Sequence, residues 1–446
     1  MIKKILLLSV VISQLTISCS QSEDPITEPQ QNLEAQIAAI IKQPYSKLTP
    51  ADQKVKLEAE ANEMLVQMDK SKSSGAIEAL QNLARLLDVS SVDIFSGKND
   101  NSVEDIINTA GVYGIYTWDT SKNTWNKAVS STELKFIFPS KESLTSNNAT
   151  FSTKGTASDV KVKVYDSYIW QTNTEVNDFF FLPTAADAVL TIDNLSAATF
   201  TQTAKYSNGK EVPNEFAYKM TLNDGYSWEM SGTKATENTS KASFAYNGKN
   251  LISFNVGSSA SIDALFDDNN LVQYRGKANG LIQIMDNFII VADMDLATEA
   301  ADQTALENNL KHPTFPEYDN PNANFKEYYT ALNAYEKKES EGLAANFNKN
   351  IKLILVSKKD GTKIAEIVQH SEKDGEYVFN LPVWEPAYSY WSFNGNGEAF
   401  SQPYLDEVFY LKFNDNTEVA MSTYFSEGFE NLETKFEDFI KAFDKN

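Results

Sequence analysis

Asn-Gly and Asp-Gly pairs recur between runs in which apolar and polar residues alternate, and this pattern constrains the fold most. In FAYKMTLNDGYSWEM the alternation of residues 216–222 is interrupted at Asp224 and Gly225 and resumes at Tyr226. Such pairs favour tight β-hairpins because their backbone readily adopts positive φ. The related sequences are YSNGKE, FAYNGKNLISFNV, KANGLIQIM, SKKDGTKIAEIV, EKDGEYVF and KFNDNTEVAM, which begin at 206, 244, 277, 357, 372 and 412. We therefore expect an antiparallel meander in which strands have one apolar and one polar face.

Amphipathic helices are predicted at the N-terminus, in the centre and at the C-terminus of the chain. In LTPADQKVKLEAEANEMLVQM, Thr49 is expected to be the N-cap and Pro50 the first helical residue, and SGAIEALQNLARLLD continues with a second helix. Apolar residues at helical spacing predict further helices near 298–310, 325–341 and 427–443. The apolar stripe of the last one consists of Phe429, Leu432, Phe436, Phe439, Ile440 and Phe443. The predicted fold class is therefore α+β and β-rich, with one face of the sheet covered by helices.

The helical and β-rich parts are expected to form one structural unit. Residues 35–110 make up the helical N-terminal segment, and residues 111–446 make up the β-rich region. No low-complexity linker lies between the two. A chain with 42% hydrophobic residues can bury a sizeable core.

The only cysteine of the chain, Cys19, follows an apolar stretch. Lys3 and Lys4 precede a mostly apolar run from Ile5 to Ile17. This run is shorter than the roughly twenty residues that cross a bilayer, and it has the pattern of an export signal. The sequence LTISC resembles the lipobox of bacterial lipoproteins, and the resemblance covers the first nineteen residues. The alternative is a chance cysteine beside an ordinary secretory cleavage site.

The lipobox resemblance implies a signal peptide at 1–18, cleavage before Cys19 and a lipid on its sulfur. Residues 19–34 contain Pro25 and Pro29 and no apolar run, which predicts a disordered tether. The acidic residues shortly after Cys19, together with the helix opening LTPADQKVKLEAEANEML and the ending YLKFNDNTEVAMSTYFSEGF, are similar to uncharacterised lipoproteins of Bacteroidota. The resemblance implies an outer-membrane protein with the membrane as partner, it leaves open whether the protein is exposed at the cell surface, and it implies no activity.

The charge balance argues against one class of partner. The chain carries 61 acidic and 39 basic side chains, a net charge of −22. A surface of this sign repels phosphate backbones, so nucleic acid is not an expected partner.

Motifs for cofactor, metal and nucleophilic chemistry are missing from the sequence. His312 and His370 have no second ligand at zinc spacing, and neither a P-loop nor a Gly-x-Ser-x-Gly elbow occurs. Asp293 and Asp295 resemble the Asp-x-Asp of haloacid-dehalogenase-like phosphatases, but their neighbours predict hairpins, so Asp295 is expected to cap a helix. His370 is expected to end a strand at the surface. No metal, cofactor or catalytic residue is assigned; a carboxylate pair for glycoside hydrolysis leaves no local signature and stays open.

One segment, LPVWEPAYSYWSFNGNGEAFSQPY, is richer in aromatic residues than a core requires. Its candidate ligand contacts are Trp384, Glu385, Tyr388 and Tyr390, while Trp391 is expected to pack in the core. Aromatic faces beside a carboxylate are typical of sugar-binding surfaces, and also of a hairpin that seals the edge of a core. The predicted function is a lipid-anchored envelope protein that binds a ligand or other envelope proteins. The alternative is a glycan-binding protein or a carboxylate-dependent glycan hydrolase.

Overall fold

The computed structural model describes residues 33–71, 73–89, 92–97, 102–207, 209–262, 264 and 275–425. The described helices are α1 (Leu33–Ile41), α2 (Pro50–Ser71), α3 (Gly75–Asp88), α4 (Val103–Ile107), α5 (Leu296–Asn309), α6 (Phe325–Asn350) and α7 (Met421–Tyr424). The described strands are β1 (Gly114–Asp119), β2 (Thr124–Ala128), β3 (Leu134–Phe138), β4 (Ala149–Ile169), β5 (Thr174–Ile192), β6 (Leu195–Lys205), β7 (Glu215–Leu222), β8 (Tyr226–Thr233), β9 (Asn238–Tyr246), β10 (Lys249–Ser258), β11 (Lys277–Ile284), β12 (Phe288–Asp295), β13 (Ile351–Ser357), β14 (Thr362–Asn380), β15 (Val383–Glu385), β16 (Tyr390–Ser392), β17 (Ala399–Lys412) and β18 (Glu418–Ala420).

Sixteen of these strands form a single sheet in which neighbours in space are mostly neighbours in sequence. The order is β18-β17-β14-β13-β12-β11-β10-β9-β8-β7-β6-β5-β4-β3-β1-β2, and β15 and β16 form a separate two-stranded sheet. The pair β1–β3 is parallel, and the other pairs are antiparallel. The prediction of a β-rich α+β fold with an antiparallel meander is therefore confirmed.

Most of the predicted turns connect strands, but two do not. Asp224-Gly225 joins β7 to β8, and Asn247-Gly248 joins β9 to β10 with both φ angles positive, at 49° and 75°. Asn279-Gly280, in contrast, lies inside β11, where β10 and β12 pair with it from both sides. Asp374-Gly375 lies within β14 and forms a bulge opposite β17. At these two sites pairing with neighbouring strands overrides the local preference for a turn.

One face of the sheet, which we call the inner face, carries most of the apolar residues. Its first core spans β1 to β10 and is covered by α2, α3 and α4. The Trp125 indole nitrogen donates to the Leu86 carbonyl of α3 over 3.1 Å, and the Asn82 side chain donates to the Pro139 carbonyl over 2.6 Å. The most deeply buried large residues of this core are Tyr116, Phe136, Phe138, Phe151 and Tyr226. Burying these aromatic side chains is the main source of stability for this part of the sheet.

The inner face has a second core at the other end of the sheet. Phe288, Leu355 and Leu411 pack there on Leu57 of α2 and on Tyr424 of α7. Phe347 of α6 lies against the same core, with its ring 5.3 Å from that of Phe409. Helices α2, α6 and α7 therefore cover the inner face at this end of the sheet, and coverage by α2 and α6 agrees with the sequence prediction.

The opposite, outer face is polar in one region and apolar in another. On β7 and β8 it carries the Lys219–Glu229 ion pair at 2.7 Å, as the alternating pattern predicts. On β11 to β13 it is apolar instead, and a third core packs Ile37 of α1 on Val291 and Val356. The expectation of one wet face per strand is thus wrong for β12 and β13, which are buried on both faces because α1 covers the outer one.

The segment after α1 is joined to β14, far along the chain. The backbone of Lys363 exchanges hydrogen bonds of 2.8 Å with Pro44 and Ser46. The Tyr45 hydroxyl donates to Glu366 over 2.5 Å, and burial together with this bond raises the pKa of Tyr45 above its usual range. The Lys363 ammonium lies 4.2 Å from the centre of the Tyr45 ring. These contacts fasten the N-terminal helices to the far part of the sheet.

Helix starts follow the predicted caps. The Asp52 amide donates to the Thr49 hydroxyl at the start of α2, and the Thr298 amide donates to Asp295 at the start of α5. The central helix extends beyond the predicted 325–341 to Asn350. His370 lies in the middle of β14, where its ring nitrogen is 2.6 Å from Glu418, so the expectation of a strand end was wrong.

Several predictions fall on residues outside the described ranges. These are the signal peptide, Cys19, most of the tether and the helix at 427–443. None of the helices in the described ranges has both the length and the apolar character that crossing a bilayer requires.

Candidate functional site

The predicted aromatic segment forms the short β15–β16 hairpin. Trp384 pairs with Trp391, and Glu385 pairs with Tyr390. Because side chains alternate along a strand, the two tryptophans lie on one face of the hairpin while Glu385 and Tyr390 lie on the other. Tyr388 sits in the connecting turn, where its amide donates to the Glu385 carbonyl over 3.1 Å. The hairpin therefore brings the candidate contacts Glu385, Tyr388 and Tyr390 together, whereas Trp384 lies on its opposite face.

The tryptophan face attaches the hairpin to the rest of the protein. The Trp391 indole nitrogen donates to the Asn320 carbonyl over 2.9 Å, and its ring lies 5.0 Å from the buried ring of Phe325, the first residue of α6. Trp384 contacts Trp391 with centroids 5.8 Å apart. Both tryptophans are half-buried. The sequence predicts Trp391 in the core and Trp384 as a ligand contact at the surface. In the structure both are half-buried and belong to the same contact, which anchors the hairpin.

The other face presents tyrosines to solvent. Tyr388 is 75% exposed and Tyr390 is 45% exposed, with ring centroids 6.1 Å apart. Glu385 is half-buried directly opposite Tyr390. Two aromatic rings and a carboxylate therefore share one outward surface, which we call the tyrosine surface.

Phe315 and Tyr318 add an aromatic patch beside the hairpin that sequence reasoning missed. Both are exposed, and Tyr318 lies 6.0 Å from the exposed ring of Phe393. The sequence signal for this patch is the segment KHPTFPEY, which places aromatic residues among prolines as the candidate segment does.

Polar contacts hold the base of the hairpin. The Leu381 amide donates to the Glu398 carbonyl over 2.8 Å, and the Lys326 ammonium lies 2.6 Å from the Glu398 carboxylate. These bonds connect both ends of the hairpin segment to the start of α6. The tyrosine surface is therefore carried by a supported element instead of a free loop.

A cavity of about 480 Å³, which we call the corner cavity, lies where the α2–α3 connection meets two hairpin turns. Asp193 and Asp224 come from those turns, Lys70 comes from α2, and Tyr246 lines the wall. The Asn148 side chain donates to Asp193 over 3.1 Å, and the Lys70 ammonium lies 5.6 Å from the centre of the Tyr246 ring. Its lining comes from four segments that are far apart in the chain, so no local sequence pattern indicates this cavity.

Glu104 is a carboxyl group whose pKa is raised, and it lies away from both the tyrosine surface and the corner cavity. Burial, with a smaller contribution from the charge of Asp105, raises the pKa of Glu104 to about 7. Burial, with a smaller contribution from the charge of Glu104, raises the pKa of Tyr218 on the inner face. Glu104 is thus a half-buried acid at the margin of the first core.

Neither metal ligands nor relatives assign a function. Within the ranges described above, no three or more His, Cys, Asp or Glu side chains are grouped so as to hold a metal ion. No protein-family model matches the chain, and no curated protein and no solved structure is significantly similar to it.

Proposed function

We propose that the protein is a lipid-anchored component of the bacterial outer membrane that binds glycans through the tyrosine surface of the β15–β16 hairpin. The observation that carries this proposal is the division of the hairpin. Its tryptophans anchor it, and Tyr388 and Tyr390 stay exposed beside Glu385. The lipid anchor rests on the lipobox-like sequence that ends at Cys19.

Tyrosine rings and a carboxylate suit a sugar ligand. The flat ring faces offer apolar area to the C–H faces of a pyranose, and their hydroxyls can donate and accept hydrogen bonds. An ionised Glu385 accepts hydrogen bonds from sugar hydroxyls. Exposed tyrosines lose little conformational freedom on binding because only two side-chain torsions must be fixed.

The test is binding of the full chain carrying Cys19→Ser to a panel of polysaccharides. Tyr388→Ala and Tyr390→Ala should each weaken binding about tenfold or more, because a few aromatic anchors dominate an interface. The melting temperature should not change, since both side chains project into solvent. Tyr377→Ala is the matched control, because Tyr377 is an exposed tyrosine on β14. Failure of the parent to bind any polysaccharide, or equal weakening by the control, refutes the proposal.

A second candidate function, a carboxylate-dependent glycan hydrolase, is favoured by the corner cavity. Asp193 and Asp224 both line this cavity, and two carboxylates are what glycoside hydrolysis requires. The same polysaccharide panel should be scored for released product. Release that is abolished by Asp224→Asn but unaffected by Tyr388→Ala would assign hydrolysis to the corner cavity, whereas absence of product rejects this candidate.

A further inference from the structure

The β4–β5 hairpin extends beyond the strands on either side of it. β3 pairs with β4 as far as Thr153, and β6 pairs with β5 from Ala185 onwards. Past these residues, among the described strands, β4 and β5 pair only with each other, along residues 161–169 and 174–181. We call this two-stranded part the extended ribbon.

One side of the extended ribbon is packed against the protein. Val162 and Phe180 pair with each other, and both are buried in the first core. The Phe180 ring lies 5.4 Å from the ring of Phe95. The ribbon is therefore a supported element, and its other side is directed away from this core.

That other side carries one aromatic residue in each of four cross-strand pairs. The pairs are Lys161–Phe181, Lys163–Phe179, Tyr165–Asn177 and Tyr168–Glu175. Tyr165 and Tyr168 share this side because a bulge between Tyr165 and Ser167 adds one residue to β4. Tyr165 is 60% exposed and Phe179 is 45% exposed, and Phe181 is exposed as well.

The series of rings continues to the tip of the hairpin. Trp170 is exposed, and its ring centroid lies 4.9 Å from that of Tyr168. Pairs on one side of a ribbon are about 6.7 Å apart, so the four pairs extend over about 20 Å. We call the five aromatic residues Tyr165, Tyr168, Trp170, Phe179 and Phe181 the aromatic ladder.

Polar side chains are interleaved with the rings of the ladder. The Lys161 ammonium lies 5.2 Å from the centre of the Phe179 ring, and the Lys163 ammonium lies 3.2 Å from the Glu175 carboxylate. Each of the four pairs thus combines one aromatic ring with one side chain that can form hydrogen bonds. The same combination is repeated at a regular spacing along a straight element.

We propose that the aromatic ladder is a second glycan-binding surface, which takes a neutral linear polysaccharide lying along the extended ribbon. The ring faces offer apolar area to the C–H faces of successive sugars, and the interleaved polar side chains offer hydrogen bonds to their hydroxyls. This inference rests on the proposed glycan binding and adds the shape and charge of the ligand. The ladder and the tyrosine surface lie on different elements, so the two can be tested separately.

The composition of the ladder favours this occupant over a protein or a bilayer. Charged residues are depleted at the centre of protein interfaces and are costly inside a bilayer, whereas the Lys163–Glu175 ion pair lies within the ladder. The net charge of −22 opposes a polyanion, so a neutral polysaccharide is the expected ligand.

Titration calorimetry on the full chain carrying Cys19→Ser tests the proposal. The probes are neutral linear oligosaccharides of increasing length, from the β-1,4-linked glucose, mannose and xylose series. The affinity of the parent should rise with oligosaccharide length. Phe179→Ala and Tyr165→Ala should each weaken binding about tenfold or more, because a few aromatic anchors dominate an interface. Tyr404→Ala, at an exposed tyrosine on β17, is the matched control and should bind as the parent does.

The variants Tyr388→Ala and Tyr390→Ala separate this inference from the proposed function. Loss of affinity in the ladder variants that persists in a Tyr388→Ala background supports the ladder. Loss in the tyrosine-surface variants alone leaves the proposed function standing and overturns the ladder. Failure of the parent to bind any of the oligosaccharides overturns both. Melting temperatures check the fold, and Tyr165→Ala, at the more exposed ring, decides the test if Phe179→Ala is destabilised.

Other occupants of the ladder are outcomes of two parallel measurements. Sedimentation with phosphatidylcholine vesicles detects a bilayer contact, and light scattering detects a second copy of the chain. Vesicle binding or dimerisation that Phe179→Ala abolishes, in a parent that binds no oligosaccharide, would assign the ladder to that occupant and overturn the proposal.

Discussion

Trp384 and Trp391 meet edge to face across the β15–β16 hairpin, with ring centroids 5.8 Å apart and planes inclined at 63°. Trp391 also donates a hydrogen bond to the Asn320 carbonyl and packs on the ring of Phe325, whereas the ring of Trp384 contacts that of Trp391. Trp391→Ala should therefore lower the free energy of unfolding by about 2–3 kcal/mol, below the range for fully buried tryptophans. Trp384→Ala should cost about 1 kcal/mol, the value of one aromatic pair.

Urea denaturation measures both effects of the tryptophan pair. Trp170→Ala is the control, since Trp170 lies near the tip of the β4–β5 hairpin and is 82% exposed. It should change stability by less than about 0.5 kcal/mol. Equal losses for the two hairpin tryptophans would contradict the unequal anchoring seen in the structure.

Glu104 predicts a pH dependence of stability. Its folded-state pKa is raised to about 7 by burial, so between its unfolded value of 4.5 and about 7 the folded protein holds a proton that the unfolded chain releases. Stability therefore falls as pH rises through this window. Glu104→Gln removes the cost of ionising a half-buried carboxyl group, so it should raise the melting temperature at pH 8 but not at pH 4. Glu237→Gln, at an exposed turn position, should leave the pH profile of the parent unchanged.

Cys19→Ser should release the protein from membranes. If LTISC directs lipid attachment, the variant cannot carry the acyl chains whose burial supplies the anchoring free energy, about 0.8 kcal/mol for each methylene. Fractionation of cells expressing parent and variant measures the effect, and circular dichroism checks that the variant is folded. A variant that stays in the membrane fraction as completely as the parent would show that the lipobox interpretation is wrong.

Metal removal should leave the fold intact. The two histidines lie apart, with His312 bonded to the Pro313 carbonyl and His370 to Glu418. Melting curves recorded with and without a strong chelator are expected to coincide. A fall of several degrees in the chelator would reveal a structural cation.

The sequence predicts what is local and misses what depends on lateral contacts. The hairpin at Asp224-Gly225 and the caps at Thr49 and Asp295 were predictable because a few neighbouring residues determine them. The pair Asp374-Gly375 carries the same signal but lies in a bulge, because β17 continues to pair on both sides of it.

The candidate site shows the same limit. Composition located the aromatic segment, but only the pairing of Trp384 with Trp391 determined which residues anchor it and which face solvent. The sequences of β12 and β13 are continuous hydrophobic runs, from which an apolar outer face was not predicted. The position of α1, which packs on that face, explains why it is apolar. The corner cavity could not be found from sequence, since Lys70, Asp193 and Asp224 have no common local pattern.

The order of the strands also bears on how the chain acquires its structure. Each strand from β4 to β14 pairs with its immediate predecessor, so most additions close a short loop at small entropic cost and extend a template that already exists. The exception is β13, which is separated from β12 by α5 and α6. Contacts of this kind favour rapid growth from the N-terminal strands onward. The bond between Tyr45 and Glu366 is different, because it joins residues 321 positions apart. The segment after α1 can form these contacts only after β14 has been added, which makes its attachment a late event in folding.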